Sequence, residues 1–174
     1  MAHLTGSIGY PQQTSEVTSY SSQTPSKIPL GTRARDKAGN EFIYVDFTQA
    51  ISLGELCTIL NDNTVTECAA ATQGRIGVVC SDVSASDYAG WVQVYGLNEY
   101  CLATSGVTTG PMMLAATTDG LSMPLPATTG GNQIIGFTLV TAPSTATSPS
   151  SITGVASVFL NYPYTHGIFD VMTS

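Results

Sequence analysis

A chain of 174 residues with a formal net charge of −7, 10% charged residues and roughly a quarter Ser plus Thr suits one domain that stays in solution through hydroxyls rather than ions. All five cations (Lys27, Arg33, Arg35, Lys37 and Arg75) precede residue 76, which argues against nucleic-acid binding, because that draws its affinity from neutralising phosphates. No run approaches the roughly 18 continuous apolar residues of a membrane helix, and no basic start leads into an apolar run as in a secretory signal.

Residues 1–29 read as an extended N-terminal arm. Gln, Ser, Thr and Pro dominate it, yet Leu4, Ile8, Tyr10, Val17 and Tyr20 recur through it, which is more apolar surface than a purely disordered tail carries. Residues 30–174 follow as the folded body, with the cations Lys27, Arg33, Arg35 and Lys37 clustered where arm meets body. From Ile28 onward, short apolar runs alternate with Gly, Pro, Asn and Asp, which is the pattern of strands. The predicted strands are Phe42 to Phe47, Leu56 to Leu60, Val65 to Ala70, Arg75 to Cys80, Gly90 to Tyr95, Tyr100 to Thr104, Met112 to Ala116, Leu121 to Leu125, Gln133 to Thr141 and Ile152 to Tyr162. Reversals are expected at Asn61-Asp62-Asn63, Ser105-Gly106, Asp119-Gly120 and Thr129-Gly130-Gly131, where the residues tolerate positive φ. The segment Thr48 to Gly54 permits one helical turn. About ten short strands at this spacing predict an all-β fold, a single β-barrel or β-sandwich. Between Gly90 and Gly96, strand alternation puts Trp91, Gln93 and Tyr95 on one face and Val92 and Val94 on the other. The valine face is expected in the core; the aromatic face is a second core or a contact surface.

The residues do not assemble a catalytic signature. A serine hydrolase needs a nucleophile, a histidine base and an orienting acid, but His166 is the one histidine of the body, and it follows Tyr162-Pro163-Tyr164 in an apparent C-terminal extension. The acids Asp36, Glu41, Asp46, Glu55, Asp62 and Glu67 are scattered as on an ordinary surface rather than paired for glycoside hydrolysis. Asn61-Asp62-Asn63 lacks the Gly and the bidentate Glu of a calcium loop, and Gly74-Arg75-Ile76-Gly77 lacks the remainder of a phosphate-binding fingerprint. Cys57, Cys68, Cys80 and Cys101 contain no C-x-x-C pair; free, mostly buried thiols and synthesis in a reducing cytoplasm are expected. Neither an enzyme nor a cofactor or metal site is expected.

Three stretches carry a resemblance: Ile28-Pro29-Leu30-Gly31-Thr32 leading into Phe42-Ile43-Tyr44-Val45, then Arg75-Ile76-Gly77-Val78-Val79 running to Gly90-Trp91-Val92-Gln93-Val94-Tyr95-Gly96, and Val158-Phe159-Leu160-Asn161-Tyr162-Pro163-Tyr164. With the spacing between them, they span residues 28–164, and the chain resembles the small decoration, or cement, proteins of tailed-phage heads. The resemblance implies a virion structural protein on the capsid surface, made in the bacterial host cytoplasm. It would clamp the major capsid protein and self-associate as a homotrimer, with a homodimer as the alternative. The expected partner-binding residues are Leu4, Ile8, Tyr10, Tyr20, Lys27, Arg33, Arg35, Trp91 and Tyr95. The polar arm and the Ser/Thr/Pro-rich loop Ala142 to Ser151 suit a fibre or spike equally, so a glycan- or receptor-binding module of such an appendage is the alternative function. An uncharged, hydroxyl-rich β surface favours association on its own physics too, since its side chains lose little rotamer entropy when buried.

Overall fold

The computed structural model describes the backbone of residues 3–5, 11–13, 18–19, 28–68, 73–84, 86, 88–103, 114–116, 122–124, 133–141 and 154–166, with side chains for most of them from residue 28 onward. The described residues are all-β, with no helix. The strands are β1 (His3–Thr5), β2 (Pro11–Gln13), β3 (Thr18–Ser19), β4 (Arg33–Arg35), β5 (Glu41–Phe47), β6 (Leu56–Ile59), β7 (Thr64–Glu67), β8 (Gly74–Val79), β9 (Tyr88–Ala103), β10 (Leu114–Ala116), β11 (Ser122–Pro124), β12 (Gln133–Thr141) and β13 (Gly154–His166).

These strands form one mixed sheet that partly closes on itself. β5 runs parallel to β7; β7 pairs with β6, β6 with β8, and β8 with β9, all antiparallel. The first half of β9 then returns to β5 along the whole length of β5, from Glu41↔Tyr95 to Phe47↔Tyr88. Inside this ring lie Ile43, Val45, Phe47, Ile51, Cys57, Ile59, Val65, Val79, Val83, Val92 and Val94. β5 reads Glu-Phe-Ile-Tyr-Val-Asp-Phe because both of its faces are covered: 43, 45 and 47 point into the ring, while Phe42 and Tyr44 point outward. The outward pair packs with Trp91, Ala89, Ala34 and Ile28 in a separate cluster, where Tyr44 and Trp91 meet edge-on with centroids 5.0 Å apart.

A third cluster lies where the sheet forks. β8 and β9 pair at Val78↔Gln93 and Val79↔Val92, then part, and β13 enters between them. β13 pairs with β9 from Asn161↔Tyr95 to Gly154↔Ala103, and with β8 at Tyr164↔Arg75 and Thr165↔Gly74. Its other edge carries β12. Leu56, Ile76, Val78, Cys101, Ile134, Phe137, Leu139, Ala156, Val158 and Leu160 fill the space so enclosed.

Most predicted strands are present, their ends shifted by a few residues, and the predicted reversal at Asn61-Asp62-Asn63 is a turn with Asn63 at φ 64°. The Asp62 carboxylate there accepts from the Thr64 backbone N–H and hydroxyl, which holds it below the usual carboxylate range. Three expectations are corrected, and one strand was not expected. Thr48 to Gly54 holds no helical turn; Ile51 bridges to Val83 instead, and burying Ile51 in the ring outweighs a weak local propensity. The strands expected from Gly90 and from Tyr100 are one strand, Tyr88–Ala103, because the Gly96-Leu97-Asn98 stretch bends without reversing. Gln93 holds this bend: its amide donates to the Tyr95 and Leu97 carbonyls, and its oxygen accepts from Asn98. Arg33–Arg35 is a strand although it is too short and charged to stand out, paired to β5 through the Asp36 to Asn40 turn. Tyr162 to His166 belongs to β13 rather than to an extension. The expected reversals at Ser105-Gly106, Asp119-Gly120 and Thr129-Gly130-Gly131 lie outside the described residues.

Candidate interaction surface

The surface that stands out begins at Glu41, the first residue of β5. Its carboxylate is buried, with 8% of the side chain exposed, yet it meets two guanidiniums whose own side chains are 52% (Arg33) and 69% (Arg35) exposed. Arg35 Nη2 donates to Glu41 Oε1, and Arg33 Nη1 lies 3.9 Å from Oε2. The strand period places both arginines on the solvent side of β4, with the intervening Ala34 turned into the core. Burial alone would push the Glu41 carboxyl up. The hydrogen bond from Tyr162 and the pull of Arg35 and Arg33 overrule it and hold the group below the usual carboxylate range.

Tyr162 comes from β13, 121 residues away in sequence, and its hydroxyl donates to Glu41 Oε2 at 2.7 Å. The hydrogen bond to Glu41 raises the phenol above its ordinary value, since losing the proton would set two anions side by side. Its backbone stands at φ 47°, an outlier for a bulky residue. Between the pairs Ile135↔Tyr164 and Phe137↔Leu160, β12 contributes only Gly136 while β13 contributes Asn161, Tyr162 and Pro163. This bulge throws the Tyr162 ring outward. Gly136 permits it: its φ is +80°, and a Cβ there would sit 2.5 Å from the Asn161 carbonyl oxygen.

The Tyr162 ring lies 5.2 Å from that of Tyr95, which meets Phe159 edge-on at 5.8 Å, and the Arg33 guanidinium stands 6.0 Å from the Tyr162 centroid. Beyond this cluster the outer face of β9, β13 and β12 continues as an apolar surface. Leu97, Phe159 and Thr138 stand in one row across the three strands, and Ile135, Val140, Val155, Tyr162 and Tyr164 are exposed around it. Monomeric surfaces rarely leave so many large apolar groups contiguous.

Of the residues singled out from sequence, Arg33, Arg35 and Tyr95 converge here. Trp91 is elsewhere, 2% exposed against Tyr44. Leu4 lies on β1, opposite Gln12 of β2, while Ile8, Tyr10, Tyr20 and Lys27 fall outside the described residues. Sequence reasoning weighed Glu41 only as a catalytic acid and did not single out the exposed Leu97, Phe159 and Tyr162. The spacing of Phe159, Tyr162 and Tyr164, three then two, departs from strand alternation and was the available signal for a bulge.

This surface is apolar and aromatic, bordered by two guanidiniums. Cys57, Cys68 and Cys80 are free thiols; burial pushes Cys68 up to about 11 and Cys80 to about 12, and Cys57 well above the ordinary thiol range, so these stay protonated and weakly nucleophilic at neutral pH. Among the described residues, no group of three or more His, Cys, Asp or Glu is disposed to hold a metal ion. Compared with known proteins, the chain matches no protein family, no curated protein and no solved structure.

Proposed function

We propose that this is a virion structural protein, a decoration or cement protein that binds the outside of a tailed-phage major capsid shell and stabilises it. The body is read as a β-barrel formed by the β5–β7–β6–β8–β9 ring, with residues 1–29 as an arm. The observation that carries this reading is the exposed apolar face of β9, β13 and β12, bordered by the two arginines on Glu41. The rings and aliphatic groups supply buried area at low entropic cost, and the arginines supply orientation toward an acidic surface. Leu4, Ile8, Tyr10, Tyr20 and Lys27 extend the contact along the arm, so that several weak anchors act together. The protein acts without catalysis or cofactor, reaches the virion from the host cytoplasm, contacts no nucleic acid and self-associates.

The test is co-sedimentation of the full chain with purified undecorated phage heads. Saturable binding in hundreds of copies, weakened at least tenfold by Phe159→Ala with Tyr164→Ala or by deletion of residues 2–26, is expected. Binding of only a handful of copies per particle would move the protein to a fibre or spike. The clustered rings of the half-buried Tyr95 and the exposed Phe159 and Tyr162 favour that second reading, a glycan-binding module, because aromatic faces suit sugar rings; hits on a glycan array would support it.

A further inference from the structure

We propose that the solvent side of β4 and the turn after it is the docking point for an extended acidic segment of the partner, one whose carboxylates stand on alternate residues and so meet Arg33 and Arg35 together. The partner's identity rests on the virion reading, whereas the chemistry it must carry comes from β4.

The chain has five cations against twelve acids, yet Arg33, Arg35 and Lys37 all stand exposed on one short strand and its turn. The acids beside them are already engaged. Asp36 accepts from the backbone N–H groups of Ala38 and Asn40 and from the Asn40 side chain, and Glu41 is buried against the guanidiniums. Solvent therefore meets a locally positive surface on a molecule of net charge −7, which favours both the encounter with a carboxylate and its retention. Glu41 also prepares the site. Arg35 is bonded to it and Arg33 stands 3.9 Å from it, so part of the ordering that binding demands of these long side chains precedes the ligand.

Spacing selects the ligand. Arg33 and Arg35 leave the same side of one strand two residues apart, roughly 6–7 Å. An extended polypeptide with acids at alternate positions repeats that interval, and each guanidinium fork can take a carboxylate through two N–H groups. A lone phosphate or a single carboxylated sugar offers one centre of charge instead. Next to Arg33 lies the Tyr162 ring, followed by Tyr95 and Phe159, which gives an aromatic residue further along the same segment an apolar landing.

The test titrates the full chain, followed by NMR, with three end-blocked peptides: Glu-Thr-Glu-Thr-Phe, its isomer Glu-Glu-Thr-Thr-Phe, and the neutral Gln-Thr-Gln-Thr-Phe. Glucuronate and inorganic phosphate are the competing anions. The spaced peptide should bind roughly fivefold tighter than the isomer of equal charge, move the amide signals of residues 33–37, and weaken as salt rises; the neutral peptide should not bind. Arg33→Gln should weaken binding roughly fivefold and Lys37→Gln about twofold, while Arg75→Gln, at an exposed cation on β8, should leave it unchanged. Arg33→Gln keeps the Arg35–Glu41 bond, and the comparison of isomers needs no variant, so misfolding cannot hide the answer. Equal affinity for the two isomers, glucuronate or phosphate bound as tightly as the spaced peptide, or no binding of any of them would overturn the proposal. Co-sedimentation with phage heads separates the two readings. Heads bound without any preference for the spaced peptide would sink this inference alone, and that preference without binding to heads would sink the virion reading alone.

Discussion

The two halves of β9 are one continuous strand in two environments. From Ala89 to Val94 every residue is buried, because β5 lines one edge of the strand, β3 (at Ala89) and β8 (at Val92 and Gln93) line the other, the ring interior covers one face and the Tyr44–Trp91 cluster the other. From Leu97 to Leu102 the strand keeps an inner face, with Asn98 and Cys101 buried, but Leu97, Glu99 and Tyr100 are open. Both halves are mostly apolar, although the second carries Asn98 and Glu99. What differs is the number of layers packed on the strand, so exposed apolar groups in the second half signal an unfilled layer rather than a polar surface.

Substitutions in the two halves should therefore part company. Trp91→Ala, in the doubly covered half, should cost about 3–5 kcal/mol by chemical denaturation, the range for emptying a buried aromatic site. Gly54→Ala strikes the support behind the second half. Gly54 stands at φ +84°, its carbonyl accepts from Leu102 N–H, and a Cβ there would lie 1.9 Å from the Tyr100 carbonyl oxygen. A loss of about 2 kcal/mol is expected, beyond the roughly 1 kcal/mol of a simple glycine replacement, because backbone must move.

Glu41→Gln probes the junction between the halves and should cost about 1 kcal/mol at neutral pH, since the amide can still accept from Tyr162 but loses both cations. Its clearer signature is in pH. The folded carboxyl titrates below its unfolded value of about 4.3, so its contribution is present above that pH and disappears as pH falls through the lower folded value. Unfolding titrations from pH 6 downward should show a shallower acid decline for the variant than for the natural chain; equal slopes would mean that Glu41 is not held by its partners. Phe159→Ala should change stability least, within about 0.5 kcal/mol as for surface sites, while still weakening attachment to particles. A core-sized loss there would mean that the face is already covered within the chain.

Much of the fold was legible in the sequence. The all-β class, most body strands and the turn at Asn61 to Asn63 follow from local patterns, because runs of β-branched and aromatic residues broken by turn formers have few other solutions. The split of Val92 and Val94 from Trp91 follows from the two-residue period alone. The arginines and Tyr95 were singled out by residue type, but not as neighbours.

Residue type and spacing determined which segments extend and which side chains share a face of a strand. The tertiary structure alone decided which of those faces receive a second layer. It made β9 one strand by letting the Gln93 and Asn98 side chains hold its bend, and it buried Trp91 beneath Ile28 and Phe42. It also brought Tyr162 to Glu41 across 121 residues. Such pairings depend on where β13 enters the fork between β8 and β9, a contact between distant segments that no local window of sequence encodes.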